Sequence, residues 1–136
     1  MKKRTIIAFI LICTIVLSAC AGAKLSDIYK EDEVIAKAKE TVEVINTLDY
    51  DSMMKVLRED LRDQLDSNTL KDAWDAKLSA AGEFKEYQSV TTLGQKSKTT
   101  GEDYAVVVLT CTYENDTLIY TLSMDSNLEI VGMYMK

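Results

Sequence analysis

The 136-residue chain has no histidine and no proline, and only three cysteines and five glycines. Without histidine it lacks the side chain that most often acts as a general base near neutral pH and most often ligates transition metals. Triads, zinc centres and histidine-ligated haem are therefore not expected, and no cofactor or metal is expected. Without proline, no slow cis-proline step should delay folding. Long apolar runs are also missing. The longest apolar stretch, Ile6 to Leu17, is too short to cross ~30 Å of hydrocarbon, which takes roughly 20 residues of helix.

That stretch follows Lys2, Lys3 and Arg4 and closes on Leu17-Ser18-Ala19-Cys20. A basic start, an apolar core and small residues at the exit meet the physical description of a secretory signal peptide over residues 1–19. The cysteine directly after Leu17-Ser18-Ala19 resembles the lipobox of bacterial lipoproteins. The resemblance implies cleavage between Ala19 and Cys20, acyl chains on the Cys20 thiol and a membrane link through that lipid. Residues 20–25 then form a short tether and 26–136 a single domain, held on the extracytoplasmic face of the cell membrane of a Gram-positive bacterium.

Removing residues 1–19 leaves 13 basic and 22 acidic residues, a net charge of −9. Such a surface repels nucleic acid, whose binding needs clustered Lys and Arg to displace counterions. It also offers no pull toward anionic lipid, so the anchor should be the lipid alone. With Cys13 in the signal and Cys20 acylated, only Cys111 remains, and an intrachain disulfide is not expected. Stability must come from packing.

Between Ser26 and Gly82 apolar residues repeat at helical spacing. Ile35, Ala38, Val42, Ile45 and Leu48 predict a first helix, starting at Ser26 or Glu31. Asp49-Tyr50-Asp51 breaks it, and Met53, Met54, Val56, Leu57, Leu61 and Leu65 predict a second. After Asp66-Ser67-Asn68, the stripe Leu70, Ala73, Trp74, Lys77, Leu78 and Ala81 predicts a third, stopped by Gly82.

Beyond Gly82 the period becomes two and the composition β-branched and aromatic. Four strands are expected, about Phe84–Leu93, Tyr104–Tyr113, Thr117–Met124 and Leu128–Met135. Asn115-Asp116 is read as a two-residue hairpin loop that sets Glu114 opposite Thr117. Alternation then assigns Ala105, Val107, Leu109, Cys111 and Tyr113, with Leu118, Tyr120, Leu122 and Met124, to one face. Tyr104, Val106, Val108, Thr110, Thr112, Thr117, Ile119, Thr121 and Ser123 take the other. In the last strand either Val131, Met133 and Met135 or Ile130 and Tyr134 face inward. The expected fold class is α+β, three N-terminal helices packed on one face of a four-stranded antiparallel meander.

That order resembles the cystatin-like or nuclear-transport-factor-2-like cone. Ala38-Lys39-Glu40, Asn46-Thr47-Leu48-Asp49-Tyr50, Leu70-Lys71-Asp72-Ala73-Trp74 and Ala81-Gly82-Glu83-Phe84 further resemble a family of uncharacterised bacterial domains common in lipoproteins. The resemblance implies fold but carries over no catalytic residues.

Trp74, Met53, Tyr87, Tyr113, Tyr120 and Met124, with Met54, are the candidates for an apolar pocket, or else they fill the core. Asp103 and Glu129 are the carboxylates that an isomerase- or dehydratase-like enzyme would need beside a tyrosine. Asp125-Ser126-Asn127-Leu128-Glu129 begins like a calcium loop, but Ile130 stands where glycine is needed and Lys136 where glutamate is needed, so a hairpin turn is expected. The acidic run Glu59, Asp60, Asp63, Asp66, Asp72 and Asp75 is read as a solvated face or a docking site for a basic partner. Asn115-Asp116-Thr117 matches a glycosylation acceptor only by coincidence within a turn. Cys111 is read as an inert buried thiol. Val106, Val108 and Ile119 make the outer sheet face a candidate homodimer surface. The functional expectation is a non-catalytic lipoprotein domain that binds a small apolar ligand or an envelope protein.

Overall fold

The computed structural model describes residues 23–136, so the signal peptide expected over residues 1–19 and the lipid attachment expected at Cys20 lie outside the described residues. Four helices precede a four-stranded antiparallel sheet: α1 Glu31–Asn46, α2 Tyr50–Val56, α3 Glu59–Arg62, α4 Ser67–Ala81, β1 Phe84–Lys96, β2 Asp103–Tyr113, β3 Thr117–Met124 and β4 Ile130–Met135. The strands lie in sequence order β1-β2-β3-β4, a meander.

The helices form where the apolar stripe is continuous. α1 buries Val34, Ala38, Thr41, Val42 and Ile45, spaced as one helical face, and Glu31, Asp32 and Glu33 suit the positive end of its dipole. α4 buries Leu70, Trp74, Leu78 and Ala81, and the Asp66 side chain caps it by accepting from the Thr69 N–H. Asp49 caps α2 in the same way, accepting from Ser52.

The second helix expected over Met53 to Leu65 is two pieces. Leu57 and Arg58 adopt extended backbone, with ψ of 147° and 144°. Leu57 makes a parallel bridge to Ile130, and the Arg58 N–H donates to the Ile130 carbonyl at 2.8 Å. The apolar spacing runs unbroken through this point and no proline or glycine marks it. Pairing with the start of β4 replaces the helical hydrogen bonds lost there.

The two faces of β2 and β3 are as the alternation assigns them, but the register is shifted by two residues, with Thr112 rather than Glu114 opposite Thr117. Glu114 and Asn115 are drawn elsewhere. The Glu114 N–H donates to Glu83 O and the Asn115 N–H to Ala81 O, both at 2.8 Å. The turn thus satisfies a carbonyl left open at the end of α4. A shift of two keeps every side chain on its face.

Two bulges in β1 move its inward residues to three-residue spacing, Phe84, Tyr87 and Val90, opposite Tyr113, Cys111 and Leu109. A third irregularity settles β4. Ser123 faces Gly132 while Met124 faces Ile130, leaving Val131 as the extra residue. Both Ile130 and Met133 therefore reach the core, where the sequence offered one or the other.

The core lies between the helices and the inner sheet face. On the outer face Val106 is 3% exposed, flanked in register by Leu93 and Ser123, while Val108, Thr110, Ile119 and Thr121 are half-buried. The segment before α1 is packed too. Leu25 rests against the core, Gly94 N–H donates to Ala23 O at 2.9 Å, and a Cβ on Gly94 would stand 2.2 Å from the Lys24 carbonyl oxygen. Residues 23–25, part of the expected tether, therefore lie against β1.

Candidate functional site

α1 and α4 both end beside the start of β1, and neither end fills the space between them. A cavity of about 210 Å³ remains, lined by Asn46, Leu48, Leu78, Gly82, Glu83, Phe84 and Tyr113. Gly82 reverses the chain at φ 80°, ψ −150°, a conformation essentially closed to other residues, and a Cβ there would stand 2.7 Å from Glu114 Oε1. Leu48 reverses the chain after α1 at φ 60°, where glycine or asparagine is usual. Its side chain is 41% exposed.

Behind the cavity lies a chain of neutral hydrogen bonds. The Tyr113 hydroxyl donates to Asn46 Oδ1, and it lies 2.8 Å from the Tyr120 hydroxyl, which must therefore be the donor between them. Tyr120 has no exposure. Burial pushes the Tyr113 phenol up to about 12 and raises Tyr120 strongly, with the bond to Tyr113 adding to that rise. Cys111, also buried, is pushed up to about 11 by desolvation, so its thiol stays protonated and inert at neutral pH. The Phe84 ring stands edge-on to Tyr113 at 5.5 Å and tilted to Tyr87 at 4.9 Å. Such a wall can hold an apolar body, and Asn46 can offer it an amide. One carboxylate lines the cavity, and that group, Glu83, is exposed with Lys85 at 3.8 Å.

The opposite end of the sheet is ionic. Arg58 Nε and Nη2 grip Asp60 at 2.7 and 3.1 Å, Nη1 reaches Asp125 at 3.3 Å, and Glu102 lies at 3.7 Å. Asp125 is 5% exposed, and its Oδ1 accepts from the Asn127 and Glu129 N–H groups, both at 3.0 Å. These bonds make residues 125–129 the expected hairpin turn, with Leu128 at φ 61°. Among the described residues no cluster suited to a metal ion is present. Tyr29 ties the N-terminal segment to this end by donating to Met124 O at 3.4 Å and to Asp103 O at 2.5 Å.

Of the sequence candidates for a pocket, Tyr113 lines the cavity and Tyr120 backs it through one hydrogen bond. Met53 and Met124 are fully buried and Trp74 is 4% exposed, all within the core cluster. Tyr87 is half-buried, donates to Lys39 O at 3.3 Å and carries the Lys39 ammonium 4.9 Å from its ring centre. Asp103 pairs with Lys96 at 3.8 Å and Glu129 is exposed. Both sit at the Arg58 end, while Tyr113 ends β2 ten residues from Asp103, roughly 30 Å away along a strand. In the acidic run, Asp60 holds Arg58, Asp66 caps α4 and Asp75 accepts from Tyr50 at 3.0 Å. Asn46, Leu48 and Arg58 were not legible as site residues. Asn46 reads as a polar helix end, and Leu48 as the last member of an apolar stripe.

The profile of a family described as a protein of unknown function, DUF3887, matches residues 38–133. This chain belongs to that family. The matched span begins inside α1 and ends inside β4, so the DUF3887 domain takes in the cavity and the Arg58 cluster together. The domain is similar to a solved NMR structure of a protein from Ruminococcus gnavus ATCC 29149. That likeness has a TM-score of 0.74 and 28% identity, and covers 82% of this chain and 96% of the other. A comparison with curated proteins gives no match.

Proposed function

We propose that this DUF3887 protein is a lipid-anchored, non-catalytic binding domain on the outer face of the cytoplasmic membrane, its cavity turned away from the lipid. The helices closing on one face of the meander are taken as a cone of the cystatin-like or nuclear-transport-factor-2-like kind. The supporting observation is a packed contact close in sequence to Cys20. Ala23 and Lys24 already lie against Gly94, leaving two residues between them and Cys20. Gly94 pairs with Ala105, and Tyr113 lies eight residues further along β2, roughly 25 Å away. An acyl group on Cys20 thus holds the Arg58 end near the membrane and presents the Tyr113 end outward. A non-catalytic role is favoured because Asp103 and Glu129 sit far from the cavity and Glu83 is exposed beside Lys85.

Growth of the native host with an alkyne fatty acid tests the anchor. The wild-type chain should take up the label and pellet with membranes, and Cys20→Ala should lose both. An unlabelled wild-type chain recovered in the soluble fraction would overturn the anchored reading.

A further inference from the structure

We propose that the cavity at the Tyr113 end binds a small neutral molecule with an apolar body and one hydrogen-bond acceptor, such as a ketone of about one ring's size. This rests on the reading of the domain as a ligand-binding module and names the ligand's chemistry.

Three observations carry it. A cavity of about 210 Å³ falls below the usual range of drug-sized sites and suits a single ring. The Asn46 side chain is oriented by Tyr113, which donates to its Oδ1. Its Nδ2 then makes no bond among the described residues and is open to solvent, and the residue lines the cavity, so an oriented N–H donor is accessible to an acceptor on a ligand. The third observation is Leu48. A leucine at φ 60° is strained where glycine would fit freely, yet its side chain stands 41% exposed at the cavity instead of packing in the core. Strain kept for an exposed apolar group is explained if that group contacts a ligand. Anions are disfavoured, because Glu83 lines the cavity and Glu114 stands against Gly82.

The test measures melting temperature of the full chain in detergent micelles with cyclohexanone, cyclohexanecarboxylate or cyclohexylammonium. Cyclohexanone at tenfold excess over its dissociation constant should raise it by about 5 °C, and the two ions should not. Asn46→Asp keeps the oxygen that accepts from Tyr113 but removes the donor, and should weaken cyclohexanone about tenfold. Leu48→Gly should also weaken it while leaving the ligand-free melting temperature unchanged or higher. A purely structural Leu48 would instead give a lower melting temperature. If an ion shifts the chain and the ketone does not, the proposed chemistry fails while the binding reading stands. If none of the three shifts it, both this proposal and the small-ligand reading fall, and the anchor is judged separately by the acyl label.

Discussion

The two ends of the sheet are held by opposite means. At one, Arg58 meets Asp60, Glu102 and Asp125, drawing together the α2–α3 break, the β1–β2 loop and the β3–β4 turn. At the other, Tyr120, Tyr113 and Asn46 pass a neutral hydrogen bond from the core to a cavity. The difference shows what each environment tolerates. Asp125 can be buried as an ion because its Oδ1 takes two backbone N–H groups and its Oδ2 a guanidinium. The Tyr113 end has no such set of donors, so its buried groups, Cys111, Tyr113 and Tyr120, stay neutral, and the carboxylate that lines the cavity, Glu83, lies exposed beside Lys85.

The largest way to break this contrast is alkali. Cys111 is pushed from an ordinary 9.0 up to about 11, and Tyr113 from 10.0 up to about 12. Their folded values exceed the unfolded ones, so the stability they lend is complete below pH 9 and is lost as pH rises through 11 and 12. Together they should cost roughly 5 kcal/mol by that point. Tyr29, also raised to about 12, opens the ionic end under the same conditions, but Cys111 starts lower and should lead. Urea midpoints followed from pH 8 upward check this, and a flat profile to pH 12 would refute it.

Arg58→Met attacks the ionic end alone. It leaves Asp125 buried with only its backbone donors and should cost about 2–3 kcal/mol, discounted because the guanidinium is a quarter exposed. Amide exchange should quicken around residues 125–130 and not around Tyr113. Gly94→Ala drives a Cβ into the Lys24 carbonyl, and should cost about 2 kcal/mol and free the segment from Ala23 to Tyr29 to exchange. Tyr113→Phe strands the buried Tyr120 hydroxyl and should cost about 1–2 kcal/mol by urea denaturation, with the Arg58 end undisturbed. The smallest change is Asp66→Ala, which removes the α4 cap and should lower the melting temperature by about 4 °C or less.

Much of the fold was legible where a local rule suffices. The α4 stripe and its stop at Gly82 mark that helix because periodicity and positive φ are properties of a few adjacent residues, while the cap at Asp66 was read only as a break. The faces of β2 and β3 were legible for the same reason. The bulges in β1 and β4 were not, since an extra residue is decided by what the opposite strand presents. Nor was the site. Tyr113 was legible as a candidate, but Asn46 and Leu48 at the end of α1 meet it only through the fold, and Trp74, Met53 and Met124, which look as much like a pocket, lie in the core.

By itself the sequence determined that helices precede strands and which side of each is apolar, because burial of periodic side chains requires only local order. The tertiary structure decided the rest. It broke the second helix at Leu57-Arg58 so that Ile130 gained a partner, and it moved the β2–β3 turn so that α4 gained a cap. In both places a backbone polar group found its hydrogen bond across the fold, and such a partner has no trace in the residues beside it.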